Sequence, residues 1–118
     1  MKATIEVDRL RVWARHGVMA QERVVGNEFE VSVTLDYPPA LKAVETDRVE
    51  DTLNYAVVIE IIQRVMSEPS SLIEHVAGKI KDAILAVYPE ITSGRISVSK
   101  LAPPVAAQLA AARFTIEF

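Results

Sequence analysis

Cysteine is absent from this chain of 118 residues, and histidine occurs only at positions 16 and 75. The lack of cysteine excludes disulfides, iron–sulfur clusters and zinc sites with thiolate ligands. With only His16 and His75 available, one chain cannot build a zinc site from three histidines. The sequence therefore predicts no metal site.

Strong positive charge and long apolar runs are missing as well. The formal net charge is −3, whereas a nucleic-acid-binding domain usually carries a basic patch. No apolar run approaches the roughly 20 residues of a membrane span, and residues 1–6 lack the basic and then apolar pattern of a signal peptide. We expect no nucleic-acid partner, no membrane segment and a cytoplasmic location.

The composition of the chain is that of a folded domain. Hydrophobic residues make up 50% and charged residues 25% of the sequence, as in ordinary globular proteins and unlike disordered chains. No internal repeat, linker or low-complexity stretch divides it. We predict a single domain over residues 1–118.

Four segments alternate between apolar and polar residues, as strands with one buried face do. The first covers residues 4–14, and its apolar positions change from odd to even at Asp8-Arg9, which predicts a β-bulge. The second covers residues 28–37, and two more, over 95–99 and 113–118, lie near the end of the chain.

Two further segments have apolar residues at helical spacing. They predict helices over residues 55–66 and 72–87. Asn54 is the expected N-cap of the first helix. Ser71-Leu72-Ile73-Glu74 has the sequence of a capping box at the start of the second.

The remaining segments are predicted to be irregular: a long loop over residues 16–27, and a short helical turn with a loop over 40–54. Strands on both sides of a helix pair predict an α+β domain in the order ββααββ. Its four-stranded antiparallel sheet would carry both helices on one face. Val57 and Ile61 lie off the main apolar stripe of their helix, which suggests burial against other copies of the chain.

Two charged residues stand out as candidates for chemistry. Lys100 has the parity of Ile96 and Val98, so it either enters a low-dielectric site as a base or extends to solvent, and the pattern favours solvent. Glu74 either closes the capping box or binds an amidine-like edge through two hydrogen bonds, and the pattern favours the cap.

Other candidates are weaker when taken singly. Tyr55 could pack in the core or act as a stacking platform or a phenol acid. Glu22 lies in the first predicted loop, where a carboxylate is normally solvated, and His16-Gly17 at a strand end could be a turn or a ligand contact.

Several short motifs follow one another along nearly the whole chain. They are His16-Gly17-Val18, Gln21-Glu22-Arg23, Gly26-Asn27, Asp51-Thr52-Leu53-Asn54-Tyr55, Leu72-Ile73-Glu74-His75-Val76-Ala77, Ser99-Lys100 and Pro103-Pro104. Taken in this order, they resemble the dihydroneopterin aldolase family. The ordered set carries the resemblance, because a single motif such as His-Gly is common.

The resemblance implies the tunnelling fold, in which four subunits close their sheets into a barrel and two rings commonly stack. The protein would then be a homo-tetramer or homo-octamer. Its sites would lie between neighbouring subunits, with Leu53, Asn54 and Tyr55 from one subunit and a second set from another. That second set comprises Glu22, Ile73, Glu74 and Lys100, and the substrate-binding residues would also include Met19 and Leu72.

The resemblance also implies a chemistry. Retro-aldol cleavage of the pterin 7,8-dihydroneopterin gives 6-hydroxymethyl-7,8-dihydropterin and glycolaldehyde, and re-addition of the aldehyde would epimerise the side chain. The N5=C6 imine of the ring accepts the electrons, so no metal and no cofactor is required. Lys100 would be the general base, Tyr55 the proton donor and Glu22 the residue that orders water, while Glu74 would bind the pterin edge.

Two alternatives remain open. A sister enzyme epimerises dihydroneopterin triphosphate, which would need a basic cluster that the loops do not obviously contain. A non-catalytic, ring-forming binding module would need no special Lys100 and would not bind pterins. The alanine-rich segment after Lys100 departs from the family pattern, which leaves the preference among related pterins open.

Overall fold

A computed structural model describes all residues from Met1 to Phe118. Its centre is an antiparallel sheet of four strands in the order β1-β2-β3-β4. The bounds are β1 Thr4–Ala14, β2 Asn27–Asp36, β3 Ser93–Lys100 and β4 Ala112–Glu117. The predicted four-stranded sheet is therefore confirmed, and β1 and β4 are its outer strands.

The predicted bulge lies in β1. The pairing of β1 with β2 shifts register between Val7 and Leu10, and Arg9 adopts a φ of 55°. The Arg9 backbone N–H donates to Oγ of Ser32 at 2.9 Å. Because the bulge inserts a residue, the apolar side chains on both sides of it pack against the same core.

Two long helices cover one face of the sheet, as predicted. The bounds are α3 Tyr55–Met66 and α4 Ile73–Val87. Their apolar stripes meet alternate residues of the central strands, which buries nineteen hydrophobic side chains in one cluster. Oδ1 of Asn54 accepts the Ala56 N–H at 3.0 Å, so the predicted cap is confirmed and stabilises α3 by about 1 kcal/mol.

Two short helices occur before this pair. They are α1, Ala20–Val25, in the predicted first loop, and α2, Leu41–Thr46, flanked by 3₁₀ turns at Pro38–Ala40 and Val49–Asp51. The full order is thus βαβαααββ with two 3₁₀ turns. The short helical turn predicted within residues 40–54 is confirmed by α2. Helix α1 lies where a loop was predicted, and none of its residues is buried, so it lacks the apolar periodicity that reveals a helix.

The capping-box prediction was wrong. Helix α4 begins at Ile73 with Leu72 as its N-cap, and no side chain caps it. The box requires serine at the cap and glutamate three residues later. Here Ser71 precedes the cap and Glu74 is only the second helical residue, so its carboxylate is free of that role.

The inference from Val57 and Ile61 also needs correction. Ile61 is 3% exposed and belongs to the core of its own chain, and Val57 packs against that core. Their positions off the main stripe therefore reflect a broad buried face of α3 and give no support for assembly. No helix of the structure is both long and apolar enough to cross a lipid bilayer.

Candidate active site

A cleft of about 210 Å³ lies where β1 and β3 end and α4 begins. It brings together five of the predicted site residues, which are separated by up to 78 positions in the sequence. These five are Glu22, Leu72, Ile73, Glu74 and Lys100. The remaining lining residues are Val18, Ser71, Pro103 and Ala112.

Lys100 is the last residue of β3, and its side chain turns into this cleft. Its Nζ lies 2.7 Å from Oε1 of Glu22 and 5.8 Å from the ring centre of Phe29. The Lys100 side chain is only 14% exposed. The expectation that Lys100 extends into solvent is therefore wrong, because its ammonium group is held by a carboxylate and an aromatic face.

Glu22 is held from two sides. Its Oε1 accepts from Lys100, and its Oε2 accepts the Met19 backbone N–H at 3.1 Å. The hydrogen bond from Lys100 is the main reason that the pKa of Glu22 is lowered, so Glu22 is ionised at neutral pH. Glu22 is the third residue of helix α1, and Met19 is the N-cap of that helix.

Gly17 makes room for this carboxylate. A Cβ atom at Gly17 would lie 2.3 Å from Cδ and Oε2 of Glu22. Any larger residue at this position would displace the Glu22 side chain from Lys100. The glycine of the His16-Gly17 motif therefore has a steric role in the cleft.

Glu74 also lines this cleft. It is exposed and lies in the first turn of α4, where the first backbone N–H groups of a helix lack intrahelical partners. The helix dipole favours a negative charge at this end. The cleft thus presents a carboxylate acceptor beside backbone donors, the arrangement that recognises a planar ring with both donor and acceptor atoms.

Leu53, Asn54 and Tyr55 lie at the other end of the chain's core. Helix α3 starts there and runs about 18 Å before the chain reaches Ser70 beside the cleft. Leu53 is buried, Asn54 caps α3, and Tyr55 is 63% exposed. A single chain therefore does not bring Tyr55 to Lys100.

Met19 lies on the far side of Glu22. It lines a second cleft of about 250 Å³ that shares Glu22 with the first. The wall of this second cleft includes Ala102 and Pro104 from the alanine-rich segment, which Asn27 holds by donating from Nδ2 to the Ala102 carbonyl at 2.6 Å. Met19 is thus next to the candidate site without lining its main cleft.

Sequence reasoning missed the link between His16 and Ser70. His16 is 1% exposed, and its Nδ1 accepts the Ser70 N–H at 3.1 Å. Burial, followed by the nearby charges of Lys79 and Lys100, lowers the pKa of His16 to about 4. No pattern in the sequence indicates that positions 16 and 70 meet.

The titratable side chains give no metal centre. No group of three or more histidine, cysteine, aspartate or glutamate side chains is placed to hold a metal ion. The chemical resources of the cleft are two carboxylates, one ammonium group and the backbone donors of α4. These groups suit proton transfer and recognition of a polar ring edge.

Comparison with known proteins decides the family. The family model FolB, dihydroneopterin aldolase, matches residues 5–117. The chain belongs to the dihydroneopterin aldolase family. This membership makes it a lyase of the aldolase type in folate biosynthesis.

Individual relatives agree with the family assignment. The chain is similar to the dihydroneopterin aldolase of Staphylococcus epidermidis, at 32% identity over 89% of this chain and 87% of the relative. It is also similar to that of Methylorubrum extorquens, at 35% identity over 92% and 84%. Among solved structures, the dihydroneopterin aldolase of E. coli in complex with neopterin has a TM-score of 0.88 at 25% identity, covering 98% of both chains.

Proposed function

We propose that this chain cleaves 7,8-dihydroneopterin by a retro-aldol reaction in the Lys100 cleft. The observation that carries the proposal is that the Glu22–Lys100 pair and Glu74 line one cleft. This arrangement supports a proton-transfer pair and a ring-binding carboxylate within reach of one bound molecule. The E. coli relative that binds neopterin has the same fold over nearly its whole length.

Glu74 is the proposed anchor of the substrate. Its carboxylate would accept two hydrogen bonds from the 2-amino group and N3 of the pterin, while backbone groups at Leu72 and Ile73 contact neighbouring ring atoms. Two parallel bonds to a carboxylate give both affinity and orientation. A ring without this edge would leave the carboxylate unpaired and would bind much more weakly.

Lys100 is the proposed general base. Lys100 would act as the neutral amine, after its ammonium group has released a proton to water. The amine would then take the proton of the second side-chain hydroxyl, directly or through water. The bond between the first and second side-chain carbons then breaks, its electrons move through C6 to N5, and the second carbon leaves as the aldehyde of glycolaldehyde. Glu22, paired with Lys100, would order the hydroxyl groups and the water.

Tyr55 is the proposed proton donor to the first side-chain carbon, which completes 6-hydroxymethyl-7,8-dihydropterin. Because Tyr55 lies about 18 Å along α3 from the cleft of its own chain, it would have to come from a second copy. Leu53 and Asn54 would come with it. The reaction moves only protons and the electron pair of the broken bond, so the proposed mechanism uses no metal and no cofactor.

The proposed assembly is a ring in which outer strands β1 and β4 of neighbouring copies pair to close a barrel. Exposed apolar side chains, including Met19, Val44 and Val49, support burial between copies. The tetramer and the stacked octamer both satisfy this arrangement. A cytoplasmic location stays a prediction.

The experiment is an anaerobic turnover assay with 7,8-dihydroneopterin and a chelator, with pterins separated by chromatography. Equal amounts of 6-hydroxymethyl-7,8-dihydropterin and glycolaldehyde would support the proposal. Formation of only the epimeric dihydropterin would favour the triphosphate epimerase. Against that alternative, a triphosphate needs several cationic contacts, and the only cationic side chain that lines the cleft is Lys100, which is already paired with Glu22. Unchanged substrate without binding would favour a non-catalytic module.

A further inference from the structure

His16 is a buried titratable group that takes no part in the proposed reaction. Its ring lies at the end of β1 and packs edge-on against Phe29, with 5.2 Å between ring centres. Because Nδ1 accepts from Ser70, the proton of the neutral ring lies on Nε2. Nε2 is buried and has no hydrogen-bond partner.

An unpaired buried N–H is unfavourable, so packing alone would favour an apolar ring at this position. The contact that an apolar ring could not make is the one between Nδ1 and the Ser70 N–H. The hydrogen bond to Ser70 is therefore what histidine provides at this position and an apolar ring does not.

Ser70 is held by two consecutive residues at the end of β1. His16 accepts its N–H at 3.1 Å, and the Gly17 N–H donates to its carbonyl at 2.9 Å. Lys79 adds a donor to its hydroxyl at 3.4 Å. Two residues after Ser70, Leu72 caps α4 and begins the wall that carries Glu74.

His16 also contacts the base of the Lys100 wall. The Phe29 ring that packs against His16 lies 5.8 Å from Nζ of Lys100. The imidazole is thus hydrogen-bonded to Ser70, next to the cleft residue Ser71, and packed against the ring that lies near Lys100. A displacement of the ring would alter the distance between the walls.

We propose that His16 is a positioning residue that sets the spacing between Glu74 and Lys100 by fixing Ser70 through its Nδ1 acceptor. This inference rests on the proposed site. The function of His16 is to keep the cleft at the width of a planar bicyclic ring. Loss of its Nδ1 acceptor should therefore weaken pterin binding more than it slows the proton-transfer step. His16 does not touch the substrate.

Two substitutions separate this role from ring packing. His16→Asn keeps an acceptor near the position of Nδ1 and loses most of the ring, whereas His16→Phe keeps the ring and loses the acceptor. KM and kcat for 7,8-dihydroneopterin, the Kd of 6-hydroxymethyl-7,8-dihydropterin and the thermal midpoint are measured for both. We expect His16→Phe to raise KM and Kd about tenfold, the effect of one buried hydrogen bond, with little change in kcat.

His16→Asn is expected to restore KM and Kd to within about threefold of the unmodified protein even if its thermal midpoint falls. Equal effects of both variants on KM and Kd would overturn the inference, because they would indicate a packing role. Unchanged KM and Kd in His16→Phe would also overturn it.

Glu74→Ala, measured in parallel, separates this inference from the proposed site. If Glu74→Ala leaves pterin binding intact, the proposed site is wrong. If Glu74→Ala abolishes binding but His16→Phe has no effect, only the positioning role is wrong. Should the His16 variants fail to fold, nitrogen NMR of the unmodified ring gives the answer: a proton on Nε2 supports the Ser70 contact, and one on Nδ1 rules it out.

Discussion

Oε1 of Glu22 accepts a 2.7 Å hydrogen bond from Nζ of Lys100, and the two side chains are only 12% and 14% exposed. Their separation of 78 positions is bridged by the sheet and by helix α1. An ion pair with so little exposed surface loses part of its hydration, and removal of one partner leaves the other charge uncompensated. Substitution of either Glu22 or Lys100 should therefore change both the free energy of unfolding and the rate of turnover.

Lys100→Met tests the ammonium group while retaining most of the stem that lies over Phe29. If Lys100 is the base, kcat should fall by about 10²- to 10⁴-fold, and the Kd of the pterin product should change by less than about threefold. Lys81→Met is a suitable control, because Lys81 pairs with Asp82 on α4 and does not line the cleft. A large rise in Kd with little loss of kcat in Lys100→Met would reverse the assigned roles.

Glu74→Ala tests the ring anchor. Loss of a carboxylate that accepts two hydrogen bonds should raise the pterin Kd on the order of 100-fold. The free energy of unfolding should fall by no more than about 1 kcal/mol, because Glu74 makes no cap and only its interaction with the dipole of α4 is lost. Glu60→Ala removes an exposed glutamate of α3 and should leave Kd unchanged. Calorimetric titration of both variants gives the comparison, and tight pterin binding by Glu74→Ala would refute the anchor.

The sequence predicts those parts of the fold whose pattern arises from burial. Alternation located the strands, and the change of parity located the bulge at Arg9, because the core admits only one face of each element. Helix α1 escaped prediction because none of its residues is buried. It is nevertheless the element that supports Glu22.

The candidate site was less predictable than the fold. Motif order indicated which residues matter, but the contact of Glu22 with Lys100 and that of His16 with Ser70 depend on the folded chain. The local pattern assigned Glu74 wrongly to a capping box. A capping box requires the helix to begin just after Ser71, whereas the tertiary contacts of Ser70 accompany a start one residue later, with Leu72 as the N-cap. Both hydrogen bonds to the Ser70 backbone come from His16 and Gly17, which follow β1 and precede Ser70 by more than 50 positions.

Mixed assemblies test whether a second copy supplies Tyr55. Lys100→Met and Tyr55→Phe chains should each be nearly inactive alone. If sites form between copies, co-expression in equal amounts should restore about a quarter of the sites. Half of the clefts then contain Lys100, and half of these lie beside a neighbouring chain that retains Tyr55. The control is a chain with both changes co-expressed with either single variant, which can form no intact site. Turnover no higher than in that control would show that Tyr55 is not shared in this way.

The buried His16 predicts a loss of stability in acid. Its pKa is about 4 in the folded chain against an ordinary value of 6.5, because of burial and the charges of Lys79 and Lys100. These lysines are themselves paired with Glu68 and Glu22. Since the unfolded chain binds the proton more readily, this contribution is complete above pH 6.5 and is lost as the pH falls towards 4.

The loss should reach on the order of 3 kcal/mol. Urea unfolding at a series of pH values measures it, with His16→Asn as the control because its side chain does not titrate. We expect the free energy of unfolding of the unmodified protein to fall more steeply between pH 6.5 and 4 than that of the variant. Parallel curves would mean that His16 is not held neutral.

Gly17→Ala tests the steric fit around the Glu22–Lys100 pair. The new Cβ would lie 2.3 Å from the Glu22 carboxyl group and 2.5 Å from its Cβ. Relief of this clash requires the Glu22 side chain to turn away and the backbone of α1 or of residue 17 to shift. We therefore expect kcat to fall by about tenfold or more through loss of the ordered pair. Gly78→Ala is the matched control, because a Cβ there meets no atom within 4 Å. It should stabilise α4 by roughly 0.5–1 kcal/mol without a change in kcat. Full activity in Gly17→Ala would show that turnover does not require Glu22 beside Lys100.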